Sequence, residues 1–181
     1  MKAVFLDRDG TLVVERGYIT VPDAIELIPG AAEAVVRLRK AGWKVFVATN
    51  QGCVAKGMIT EEELGEIHFR MVSMLGAEGA EVDGIYCCPH HPEGTVADLA
   101  IECDCRKPRP GLLERAAAEH GLDHAECVMI GDTLRDLEAA RQAGARGVLV
   151  LTGHGADTAS KDHGAVHVAP DLPSAVSWLL A

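Results

Sequence analysis

Positive charge is scarce in this chain: 17 lysines and arginines stand against 27 aspartates and glutamates, a formal net charge of −10 over 181 residues. That balance argues against broad electrostatic binding to nucleic acid or to an anionic membrane, so any phosphate site must be a local concentration of cations. Long apolar runs are missing as well, and none approaches the roughly 18–20 residues of a membrane-spanning helix. A signal-peptide pattern is absent from the start, where Lys2, Asp7, Arg8 and Asp9 interrupt the apolar residues. Internal repeats and low-complexity tracts are also absent. The expectation is a cytoplasmic monomer with no nucleic-acid or membrane partner and a small substrate.

What is present is enough apolar material, 48% of residues, to bury the core of one domain spanning residues 1–181. Short β-type runs alternate with segments of helical period. Strands are expected at Ala3–Leu6, Val45–Ala48, Ile85–Cys87, Val128–Ile130 and Val148–Leu151, and helices at Ala31–Ala41, Glu61–Glu78, Leu112–His120 and Leu134–Ala143. Such alternation predicts an α/β fold, a doubly wound and mostly parallel sheet with helices on both faces. Boundary signals agree: Gly42, Gly121 and Gly144 fall where helices should end, and Thr60 with Glu63 forms a capping box. Leu64, Ile67, Met71, Met74 and Leu75 make a core stripe, and His68 beside it is read as packing or solvent-facing. Residues 152–170 are left unassigned, with His154, His163 and His167 expected on the surface.

In a parallel sheet of this kind ligands bind beyond the carboxyl ends of the strands. The residues found there are rich in chemistry. Asp7 and Asp9 follow the first strand, Thr49, Asn50 and Gln51 the second, and Gly131 and Asp132 the fourth, with Lys107 in the long loop before Pro110. Two neighbouring carboxylates call for a cation or a shared proton, and Mg²⁺, an oxygen-seeking ion that works beside phosphates, is the simplest answer. Phosphoryl transfer needs a nucleophile, a proton donor for the leaving oxygen, a metal and fixed donors around the phosphoryl oxygens. The set supplies each: Asp7 as nucleophile forming an aspartyl-phosphate, Asp9 as general acid and then base, and Thr49, Asn50 and Lys107 on the phosphoryl oxygens. Asp7, Asp132 and the backbone carbonyl of Asp9 would hold Mg²⁺. Asp136 is either an outer residue of the metal site or a solvated residue in a helix's first turn.

Six cysteines admit disulfides, core thiols or metal ligands. Cys53 and Cys127 stand apart, and Cys127 heads an apolar run as a small core residue. The others cluster. Cys88-x-His90 and, after twelve intervening residues, Cys103-x-Cys105 present three thiolates and an imidazole, a donor set for closed, tetrahedral, structural Zn²⁺. Cys87 and His91 are alternative ligands should the register slip. Disulfides are disfavoured by compartment, and a zinc deaminase by the missing His-x-Glu and Pro-Cys-x-x-Cys elements. A zinc loop over about 88–110 would fix Cys105 two residues before Lys107.

Taken together, VFLDRDGT, TNQ, RKP and GDTLRD resemble the four motifs of the haloacid dehalogenase-like (HAD) superfamily of phosphohydrolases, over about Val4–Asp136. The resemblance implies a Rossmann-like core with the motifs at its carboxyl edge, and the short spacings after Asp9 and Asn50 leave no room for an inserted cap domain. CPHHPEG with CDCRKPRPG narrows the likeness to the superfamily's zinc-containing branch, and to its heptose-bisphosphate 7-phosphatases more than its histidinol-phosphate phosphatases. It further implies substrate contacts at Glu15, Arg16, Gly17 and Tyr18, beside Thr49, Asn50, Gln51, Arg106 and Lys107, and a phosphorylated sugar as substrate. Arg16, Arg106 and Lys56 would supply cations for a sugar carrying two phosphates. The chain departs from that pattern at Gly52-Cys53, where those enzymes continue with Ser-Gly, which leaves anomer and sugar open. The reading from a different class is a phosphosugar-binding domain without turnover, against which the intact Asp7 and Asp9 stand.

Overall fold

The structure is a computed structural model and describes residues 1–181. Six strands, β1 (Ala3–Leu6), β2 (Lys44–Asn50), β3 (Gly84–Cys88), β4 (Cys127–Gly131), β5 (Arg146–Val150) and β6 (His167–Ala169), form one sheet in the order β3-β2-β1-β4-β5-β6. Every pairing is parallel. Six helices connect or flank them: α1 (Ala31–Lys40), α2 (Glu61–Ala77), α3 (Gly111–His120), α4 (Leu134–Ala143), α5 (Gly155–Ala159) and α6 (Leu172–Leu179). None is long and apolar enough to cross a membrane.

Side-chain alternation along the strands sorts the core into two layers. Val4 and Leu6, Val45 and Val47, Val128 and Ile130 face a large cluster closed by α1, α2 and α6, while Phe5, Phe46 and Met129 face a smaller one closed by α3 and α4. The stripe Leu64, Ile67, Met71 and Leu75 is buried in the larger cluster. Thr60 and Glu63 close a capping box on α2, and Thr133 and Asp136 close another on α4. Gly121 and Gly144 end α3 and α4 at φ 62° and 78°, a region that favours glycine.

The stretch 152–170 is built into the fold as α5 and the edge strand β6, with α6 following. A three-residue strand reading His-Val-Ala gives periodicity too little to register. His167 stacks on Trp178, ring centroids 4.3 Å apart, so it joins this edge to α6. The connections leaving β1 and β2 contain no inserted domain, and the sheet's carboxyl edge carries no cap. The chain order reverses between β1 and β4, the place where a doubly wound sheet opens a crevice.

Candidate active site

A cavity of about 220 Å³ opens at that crevice, and Asp7, Asp9, Glu15, Gly17, Tyr18, Thr49, Asn50, Gln51, Arg106, Lys107 and Asp132 all line it. Lys107 forms its floor. Only 2% of its side chain is exposed, and Nζ lies 3.0 Å from Asp7 Oδ1, 2.6 Å from Asp136 Oδ1, and donates to the Ala48 carbonyl at 2.6 Å. Burial opposes the ammonium's charge, but Asp136 and Asp7 outweigh it and raise its pKa. The Asn50 amide brackets the Lys107 backbone, donating to its carbonyl at 2.9 Å and accepting from its N–H at 3.0 Å. Strand β2 thereby fixes where the lysine stands.

Asp9 is held from behind. Strand alternation sends Arg8 into the larger core layer, where its side chain is fully buried. It donates to the Asp9 carboxylate at 3.0–3.1 Å and to Gln51 Oε1 at 3.0 Å. Gln51 in turn donates to Asp9 at 2.8 Å and to Thr49 Oγ1 at 2.9 Å. The Gln51 amide, though part of the cavity wall, is thus committed to aiming Asp9.

The carboxylate oxygens of Asp7, Asp132 and Asp136 lie within 4.8 Å of one another. Asp132 Oδ2 accepts from the His154 N–H at 2.7 Å, whereas Oδ1 is buried without a partner. Burial, then the charge of Asp136, pushes the Asp7 carboxyl up to about 7; burial, then Asp7, pushes Asp132 up to about 8. Crowded, dehydrated oxygen donors with an orphaned lone pair fit a hard divalent cation. Asp136 itself is fully buried and occupied by Lys107 and by the N–H and hydroxyl of Thr133. A solvated place in the first turn, one of its two expected roles, is therefore ruled out.

Arg16 is carried elsewhere. It pairs with Glu26 in an exposed bridge and does not line the cavity. Tyr18 stays at the wall with Lys56 Nζ 5.2 Å over its ring. The sequence reading missed Arg135 and His154 as lining residues. Arg135 sits inside GDTLRD, beside an aspartate that was singled out; His154 had no local signal, since its backbone reaches Asp132 only through the β5–α5 turn. Burial, then Arg106, Lys56 and Arg135, lowers the pKa of His91.

Behind the cavity, Cys88, His90, Cys103 and Cys105 converge. Their Sγ and Nδ1 atoms are separated by 3.3–3.6 Å, close to the edges of a tetrahedron built on Zn–S bonds of about 2.3 Å. All six cysteines are free thiols. Hydrogen bonds from Cys88 first, and from Cys103 and His90, lower Cys105 to about 5, while Cys88 is raised by its bond to Cys105. Cys87 and His91 lie outside the cluster: Cys87 alternates onto the larger core layer, and His91 faces Gly52. Arg106 donates to the His90 carbonyl at 2.9 Å, tying the cluster to the cavity.

The family model of HAD-hydrolase-like proteins matches residues 104–175. A D-glycero-beta-D-manno-heptose-1,7-bisphosphate 7-phosphatase of Photorhabdus laumondii is 40% identical over 98% of this chain and 96% of its own. A D-glycero-D-manno-heptose-1,7-bisphosphate 7-phosphatase of Thermosynechococcus vestitus is 43% identical over 98% and 94%. Among solved structures, the D,D-heptose 1,7-bisphosphate phosphatase of B. bronchiseptica, complexed with magnesium and phosphate, superposes with a TM-score of 0.90 at 38% identity, covering 99% of this chain and 98% of that one.

Proposed function

The chain belongs to the HAD-like hydrolases, within the family of heptose-1,7-bisphosphate 7-phosphatases, and from that membership we propose that it removes the C7 phosphate of D-glycero-D-manno-heptose 1,7-bisphosphate and releases the 1-phosphate. It is a phosphoric monoester hydrolase. The observation that carries the mechanism is the position of Asp7, with Lys107 at 3.0 Å and Asp132 and Asp136 gathered around it.

Asp7 attacks phosphorus through a carboxylate oxygen, forming a P–O bond as the bond to the sugar's C7 oxygen breaks. Asp9 gives its proton to that departing oxygen. In the second half Asp9 takes a proton from water, the water oxygen bonds to phosphorus, and the Asp7 carboxylate is released with inorganic phosphate. Arg8 and Gln51 hold Asp9 in one orientation, which removes the entropy of finding it. Lys107 and Thr49 donate to phosphoryl oxygens, while Asn50 keeps the lysine in place. Asp7, Asp132 and the Asp9 carbonyl would hold Mg²⁺, which would neutralise charge on the transferring group. Glu15, Gly17, Tyr18 and Arg106 line the route to the sugar. Cys88, His90, Cys103 and Cys105 would hold Zn²⁺, which would staple the loop that delivers Arg106 and Lys107. Because these residues all come from one chain, a monomer is a sufficient working unit.

Initial rates with Mg²⁺ on heptose 1,7-bisphosphate and on histidinol phosphate test the substrate. The bisphosphate should turn over faster, and Asp7→Asn should abolish hydrolysis without altering the fold. Faster turnover of histidinol phosphate would refute the assignment, and an active Asp7→Asn would refute the nucleophile.

A further inference from the structure

A sugar bisphosphate brings a second phosphate that does not react, and its seat is not among the groups that perform the chemistry. The catalytic cavity adjoins a depression of about 260 Å³ past Pro92 and Glu102, and the residues common to both walls are Arg106, Lys107 and Arg135. Lys107 is committed to Asp7 and Asp136. Arg106 spends one donor on the His90 carbonyl, and Arg135, exposed in the first turn of α4, has no carboxylate partner. Glu102, the acidic residue of that depression, is engaged by Arg109 at 3.2 Å. On the opposite side, the depression past His154 also reaches Arg135, but there Asp157 offsets the charge of Lys161 and Arg106 is absent.

Arg135 also stands where helix physics gives it no reason to be. As the second residue of α4 it faces the positive end of the helix dipole, which disfavours a cation and favours an anion. An arginine with free donors beside that helix end is suited to gripping a phosphate with two parallel N–H bonds.

We propose that Arg135, acting with Arg106, binds the non-reacting phosphate of the bisphosphorylated substrate and is a specificity-determining residue of this enzyme. Arg135 takes the part that the sequence pattern gave to Arg16. This rests on the bisphosphate reading above and goes beyond it by locating the second phosphate.

The test compares kcat/KM on heptose 1,7-bisphosphate with kcat/KM on heptose 7-phosphate, for the wild type, Arg135→Met and Arg135→Lys. The ratio of the two should fall by about 10-fold or more in Arg135→Met, the loss of a charge-assisted bidentate contact. The change should lie mainly in KM, and Arg135→Lys should restore part of it. A ratio that stays at the wild-type value, or an equal loss on both substrates, overturns the inference. Should the wild type itself show no preference for the bisphosphate, the substrate reading falls and the inference with it; a wild-type preference kept intact in Arg135→Met defeats the inference alone. Exposure of Arg135 makes folding of both variants the expectation, and their melting temperatures should match that of the wild type.

Discussion

Lys107 and Asp136 meet at 2.6 Å although 29 residues separate them, and neither side chain is more than 2% exposed. The pair joins the loop before α3 to the first turn of α4, beside the nucleophile. Asp136 caps its own helix through Thr133 with one oxygen and holds the lysine with the other. Helix capping and catalytic positioning are therefore one interaction.

Asp136→Asn leaves a buried ammonium with half its compensation, and removing one partner of such a pair costs about 3–5 kcal/mol. Denaturant unfolding should show that loss, and kcat should drop with it. Lys107→Met removes donation to the phosphoryl group, for which a fall of about 10²–10³ in kcat is expected. An Asp136→Asn variant as stable and as active as the wild type would contradict the coupling.

Elemental analysis of the purified protein should give about one Zn per chain for a four-ligand site. Chelation, or Cys105→Ser, should lower the melting temperature and reduce activity, since Arg106 and Lys107 follow Cys105 directly. Metal-free protein with full activity and an unchanged melting temperature would refute a structural zinc.

His68 makes a contribution of definite sign to the pH dependence of stability, opposite to that of Asp7 and Asp132, whose raised pKa values favour the folded state as pH falls. Burial, then the Arg8 charge, lowers His68 from 6.5 to about 4, and its Nε2 is buried without a partner. Between those values the unfolded chain binds a proton that the folded chain refuses, so its contribution is full above pH 6.5 and is lost as pH falls towards 4, by at most about 3 kcal/mol. The unfolding free energy of the wild type relative to His68→Gln, measured from about pH 7.5 to 4.5, should fall as the pH falls. Parallel curves for the two proteins would exclude His68 as the cause.

Much of this architecture is legible in the residues. Val4 and Leu6 against Phe5 announce a strand buried on both faces, and strand-end residues such as Asp7, Thr49 and Asp132 are found because topology sends them to one edge. Side-chain direction in loops is harder to read. Arg16 and Arg135 are both cations near motif aspartates, yet one turns out to Glu26 and the other lines the cavity, a difference set by tertiary partners that local sequence does not encode. Arg8 is equally silent: alternation sends it inward, but its partners are its neighbour Asp9 and Gln51, the latter contributed by another strand end. The His-Val-Ala of β6 becomes a strand through pairing with β5, which local periodicity does not encode.

Phosphorus NMR of the products from D-glycero-D-manno-heptose 1,7-bisphosphate, taken with Mg²⁺ present, reads out which of the two phosphates the enzyme removes. Inorganic phosphate and a sugar that keeps its anomeric phosphate should appear as the C7 ester signal disappears. Loss of the anomeric phosphate with the C7 ester retained, or no turnover, would contradict hydrolysis at C7.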